Sequence, residues 1–90
     1  MTETFEDIAN LVRSLVTPLV DNPDEVSIAL DEMEDGSLLI EIRVHEEDAG
    51  KVIGRQGRVI KAIRTLCRAA GSRNGQHVEV EGLHLLFQRL

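Results

Sequence analysis

Tryptophan and tyrosine are absent from the 90-residue chain, and its only aromatic side chains are Phe5 and Phe87. That scarcity argues against a module that stacks bases on a platform of exposed rings. A single cysteine, Cys67, excludes an internal disulfide. With no histidine or acid at a suggestive spacing, it is expected to be a buried structural thiol rather than a nucleophile. His45, His77 and His84 are scattered without ligand spacing, so no metal site is expected. No Ser-His-Asp or Cys-His set stands out, and the carboxylates gather in helix starts and turns, so neither catalysis nor a cofactor is expected. No stretch approaches the roughly 20 apolar residues of a membrane span. The first eighteen residues hold Glu3, Glu6 and Asp7 against Arg13 alone, unlike the basic start of a secretory signal. The expected location is cytoplasmic, away from the membrane.

Positive charge is scarce in one half of the chain and negative charge in the other. Residues 1 to 50 carry fourteen acids and two cations, a balance of −12, whereas residues 51 to 90 carry eight cations and two acids, a balance of +6. From Lys51 to Arg73 there are seven cations and no acid. Charges separated by more than about 8 Å are largely screened at physiological salt. A basic patch can therefore act on an anionic partner despite a net charge of −6, if the fold keeps the two halves apart.

Ninety residues suffice for one domain with a modest core. Thr4 followed by Asp7 suggests a capping-box-like helix start, and Phe5, Ile8, Val12, Leu15, Val16, Leu19 and Val20 supply an apolar stripe. Pro18 should kink or end that helix near Thr17, and Asn22-Pro23 should stop it. Val26, Ile28 and Leu30 alternate with polar or small residues, and Leu38, Ile40, Ile42 and Val44 alternate with Leu39, Glu41, Arg43 and His45. Asp35-Gly36 between them signals a hairpin, so two antiparallel strands are expected. Glu46-Glu47-Asp48 suits the first turn of a short helix, where the dipole favours acids. From Arg58 to Ala70 a second amphipathic pattern places Val59, Ile60, Ile63, Leu66, Cys67 and Ala70 on one arc, with Arg58, Lys61, Arg64 and Arg68 away from it. Gly71 would cap this helix, and residues 76 to 81 alternate as a third strand.

Between the short helix begun by Glu46-Glu47-Asp48 and the helix from Arg58 lies Gly50-Lys51-Val52-Ile53-Gly54-Arg55-Gln56-Gly57, the densest run of glycine and cation in the chain. Glycine admits positive φ and close approach of a ligand to the backbone, and the helix beginning beyond it offers unpaired N–H groups to an anion. The run lacks the G-x-x-x-x-G-K-[ST] of a phosphate-binding NTPase loop, since Arg58 and Val59 follow Gly57. It also fails the dinucleotide fingerprint, because three residues separate Gly50 from Gly54.

Val-Ile-Gly-Arg-Gln-Gly resembles instead the I-G-x-x-G signature of KH domains, whose GXXG loop clamps the backbone of single-stranded nucleic acid. Together with Asn22-Pro23-Asp24-Glu25-Val26 and the run from Glu47 to Arg64, it makes residues 5 to 81 similar to small bacterial stand-alone KH proteins of the KhpA type. The resemblance implies an α+β fold of the bacterial (type II) kind, in the order helix, strand, strand, helix, helix, strand, with a three-stranded mixed sheet covered on one face by three helices. Residues 1 to 82 would form the KH domain and residues 83 to 90 an apolar tail. Leu83, Leu86, Phe87 and Leu90 have helical spacing in that tail, while Leu83, Leu85 and Phe87 also alternate as a strand would.

The implied activity is single-stranded RNA binding without catalysis, in an RNA chaperone or post-transcriptional regulator. Gly54, Arg55, Gln56 and Gly57 would form the clamp, Lys51, Arg58 and Lys61 would meet phosphates, and Val52 and Ile53 would wall a groove for bases. Ile53 can equally be core. The implied partners are a second copy of the chain, or a larger protein with its own KH domain. The alternative is a protein-interaction adaptor that keeps the fold but binds RNA weakly or not at all.

Overall fold

The structure, a computed structural model, describes residues 2–73, 75 and 78–83. Helix α1 spans Thr2–Val16. It is already helical before Thr4, so Thr4 lies inside the helix rather than at its cap. Ile8, Val12 and Val16 form its buried stripe. Pro18 cannot continue the ladder, and the chain tightens into a 3-10 turn over Thr17–Leu19. A second 3-10 turn, Pro23–Glu25, leads into strand β1, Ser27–Glu32.

Strand β2, Leu38–Arg43, pairs antiparallel with β1 in a register that sets Leu30 opposite Ile40 and Ile28 opposite Ile42. The connecting turn follows from its residues. Gly36 takes φ +87°, and the Asp35 carboxylate accepts from the Ser37 amide at 2.9 Å and its hydroxyl at 2.6 Å. On the far edge of β2 lies strand β3, Val78–Leu83, parallel to it, with a register shift between Ile40 and Ile42. Strand β3 reaches Leu83, one residue into the segment assigned to the tail. The remainder of that segment, with its helical stripe, lies outside the described residues.

Leu38, Ile40 and Ile42 project from one face of β2, as the two-residue period requires, and all three are buried. They join Ile8, Val12 and Val16 of α1, Ala49 and Val52 of α2 (Ala49–Ile53), and Ile60, Ile63 and Cys67 of α3 (Arg58–Arg73) in one core. The chain is thus an α+β domain in which three helices contribute to the core on that face of the sheet. Burial pushes the Cys67 thiol up to about 11, as befits an inert structural cysteine.

Two expectations for α3 are corrected. Gly71 does not cap the helix. It is buried within it, and the positive-φ glycine comes later, at Gly75, whose amide bonds to the Ser72 carbonyl at 3.0 Å. Leu66, placed on the apolar arc, is 46% exposed. At 100° per residue it lies about 100° from the direction shared by Ile60, Ile63 and Cys67, at the rim of the stripe rather than its centre.

Candidate nucleic-acid interface

Helix α2 is five residues long, too short to hold itself in water, so its position must be imposed from outside. Ala49 and Val52 anchor it to the core. At its N-terminal end the 3-10 turn Glu46–Asp48 is capped by His45, whose Nδ1 accepts from the Glu47 amide at 3.0 Å. The strongest tie is Asp48. Its carboxylate is 0% exposed and accepts from the Asp21 amide at 3.0 Å, the Asn22 amide at 2.9 Å, the Asn22 side chain at 3.1 Å and the Lys51 ammonium at 3.2 Å. The linker after α1 is thereby stapled to the helix that carries the glycine loop.

Burial alone would push the Asp48 carboxyl up. The hydrogen bonds from Asp21, Asn22 and Lys51 overcome that and hold it at about 2. Since this lies below the ordinary value of 3.8, the stability it contributes is complete above about pH 4, shrinks as the pH falls, and is lost at about pH 2. Asp48→Asn should therefore melt below wild type at neutral pH, and the gap should close between pH 4 and pH 2. Thermal melts across that range check this, and a gap constant with pH would show that the charge is not what matters.

Helix α2 ends where the Gly54 amide bonds to the Gly50 carbonyl at 2.9 Å. Gly54 takes φ +76° and ψ 171°, a conformation essentially reserved for glycine. A Cβ there would lie 2.9 Å from the Val59 backbone nitrogen and would overlap the Val59 side chain. The chain therefore crosses directly over the first turn of α3. A single 3-10 turn, Arg55–Gly57, follows, closed by the Gly57 amide on the Gly54 carbonyl at 3.1 Å. Gln56 sits at φ 57° and ψ 24°, in the left-handed region, and its Oε1 accepts from the Arg58 guanidinium at 3.3 Å. Gly57 takes φ +72° with room around it, the nearest atoms to a Cβ being Ile60 Cγ2 at 3.9 Å and Lys61 Cε at 4.0 Å. The Lys61 stem thus reaches back beside the loop.

Arg55, Gln56, Arg58 and Lys61 are exposed around this turn, as is Arg68 further along α3. Among the described residues, Arg55, Arg58, Lys61 and Arg68 form no ion pair with an acid. Lys51 differs. Its ammonium bonds to Asp21 and, at 3.2 Å, to Asp48, and these two bonds, Asp21's first, raise its pKa. The lysine expected to meet phosphate is thus engaged by two carboxylates. Val52 is also corrected: at 0% exposure it is core and presents no surface to a base. Ile53 is half-buried at the loop's edge and remains available as a wall. No group of three metal-ligating side chains occurs among the described residues.

Residues 9–81 match the family described as "KhpA/KhpB, KH domain". The chain belongs to this KH-domain family. Proteins named "RNA-binding protein KhpA" are similar to it along most of their length. That of Listeria monocytogenes is 49% identical over 71 residues, covering 79% of this chain and 92% of the relative. That of Bacillus subtilis is 42% identical over 78 residues, covering 87% and 95%. The glycine turn Gly54–Gly57 lies within the matched residues. The residues that hold it, Asp48 with the Asp21–Asn22 linker, are ones the sequence left unassigned. Asn22 looked like a helix stop and Asp48 like one of three equivalent acids. Only the return of the α1 linker to α2 singles out Asp48.

Proposed function

We propose that this KH domain is a non-enzymatic single-stranded RNA-binding protein that clamps the sugar-phosphate backbone at Gly54–Gly57. The observation that carries this reading is the exposed turn packed against the start of α3, ringed by Arg55, Arg58 and Lys61, which form no ion pair with an acid among the described residues. Unopposed cations beside backbone amides at a helix start suit an anionic chain. The names of the relatives support the same ligand. Arg55 and Gln56 project towards phosphate, Arg58 and Lys61 extend the contact along α3, and Ile53 borders the base groove. Backbone clamping fixes position more than sequence, which suits an RNA chaperone or post-transcriptional regulator acting in the cytoplasm. A second copy of the chain, or a larger protein carrying its own KH domain, is the protein partner in this reading.

Salt dependence tests the reading. Each phosphate neutralised on a single strand contributes about −0.7 to the slope of log affinity on log salt, so three contacts through Arg55, Arg58 and Lys61 predict a slope of about −2. Lys51→Gln should leave that slope unchanged, because its charge is already engaged by Asp21 and Asp48. Duplex RNA should bind less tightly, its bases being stacked out of reach. A flat salt response, or no binding, would favour an adaptor that keeps the KH fold for protein partners.

A further inference from the structure

Lys51 shares one positive charge between two carboxylates of different standing. Asp48 is enclosed and committed to four donors, whereas the Asp21 side chain is 79% exposed and, among the described residues, bonds to Lys51 alone. Asp48 by itself neutralises Lys51. The second acid leaves a local excess of one negative charge beside a turn built to receive an anion. Lys51 stands three residues before Gly54, about 4.5 Å along the helix axis, so its long, half-exposed side chain is within reach of a ligand seated at the loop.

The backbone and side chain of Asp21 do separate jobs. Its amide donates to Asp48 at 3.0 Å and helps to staple the linker, a bond that survives any change of side chain. Among the described residues its carboxylate bonds to the exposed Lys51 ammonium, so no buried group depends on it. A side chain that adds negative charge at an anion site, without a structural task of its own, acts on affinity.

We infer that Asp21 limits RNA affinity by holding Lys51 away from the RNA backbone, so that Lys51 is a phosphate contact kept in reserve. Asp21 is a positioning residue for Lys51, and the inference rests on the RNA-binding reading. With Asp21 neutralised, Lys51 is held by one carboxylate instead of two, through its bond to Asp48 at 3.2 Å, and its ammonium is freer to meet phosphate while Asp48 stays bonded to the Asp21 and Asn22 amides. An exposed lysine–phosphate pair is modest in strength, so the gain is a tuning effect rather than a switch.

Titrating the full chain into a short, fluorescein-labelled single-stranded RNA of mixed sequence tests this. Asp21→Asn should bind about two- to fivefold more tightly at low salt, with a salt slope steeper by about 0.7, one extra phosphate. The melting temperature should stay close to wild type, because the backbone bond to Asp48 remains. In a Lys51→Gln background, where glutamine still offers Asp48 a donor, Asp21→Asn should bring no steeper slope and little gain. Unchanged affinity of Asp21→Asn overturns the inference while wild-type binding leaves the RNA reading standing. An equal gain in the Lys51→Gln background also overturns it, since Asp21 would then act on RNA directly. If wild type fails to bind the probe, both fall together.

Discussion

Gly54→Ala should lower the melting temperature by at least about 8 °C and abolish RNA binding with it. Two costs act together. The φ +76°, ψ 171° conformation is essentially closed to alanine, at about 1–3 kcal/mol. The new methyl would also press on the Val59 nitrogen at 2.9 Å, a backbone atom at the start of a 16-residue helix that cannot swing aside. Overpacking of that kind costs about 1–3 kcal/mol more. In a domain this small each kcal/mol is worth about 4–8 °C, so even the lower combined figure is easily measured. Gly57→Ala is the internal control. It meets only ordinary contacts, at 3.9 Å or more, so it incurs about 1–2 kcal/mol of left-handed strain and no clash. The two glycines of the motif are therefore unequal, and thermal melts of both variants measure the difference. Equal losses would mean that the Gly54 crossing over Val59 does not limit the loop.

The inequality also shows what the sequence could and could not convey. Local periodicity located β1, β2 and both long helices, because Ile40 and Ile42, or Ile8, Val12 and Val16, must recur at the period of the face they bury. Asp35-Gly36 marked the hairpin because few residues take φ +87°. Gly54-x-x-Gly57 was equally visible. What stayed hidden were pairings between residues distant in the chain. Lys51 looked like part of a uniform basic run, since its two carboxylate partners, Asp21 and Asp48, are indistinguishable in sequence from the other acids. Val52 looked like a groove wall because an apolar residue beside a loop shows its hydrophobicity and not its direction. Leu66 was counted as core because periodicity defines an arc, while neighbouring elements decide how much of it they cover.

Arg55→Asp combined with Gln56→Asp should weaken RNA binding about 100-fold or more and leave the fold intact. Both side chains are exposed, and among the described residues the only recorded bond to either is that of Gln56 with Arg58 at 3.3 Å, itself exposed and of little consequence for stability. The backbone also tolerates the change. Gln56 already occupies φ 57°, ψ 24°, and aspartate adopts the left-handed region more readily than glutamine because its short side chain bonds locally. For the ligand the balance is different. Losing a charge-assisted contact at Arg55 forfeits about 1.5–3 kcal/mol, and each new carboxylate about 5 Å from a phosphate adds somewhat under 1 kcal/mol of repulsion in water. The sum approaches or exceeds the roughly 2.7 kcal/mol that corresponds to 100-fold. Circular dichroism should be unchanged and the melting temperature close to wild type, in contrast to Gly54→Ala, where folding and binding fail together. Fluorescence titration of a labelled single strand, read beside the thermal melt, separates the two variants. A well-folded double variant that keeps wild-type affinity would remove Gly54–Gly57 from the RNA interface and place that interface elsewhere on the domain.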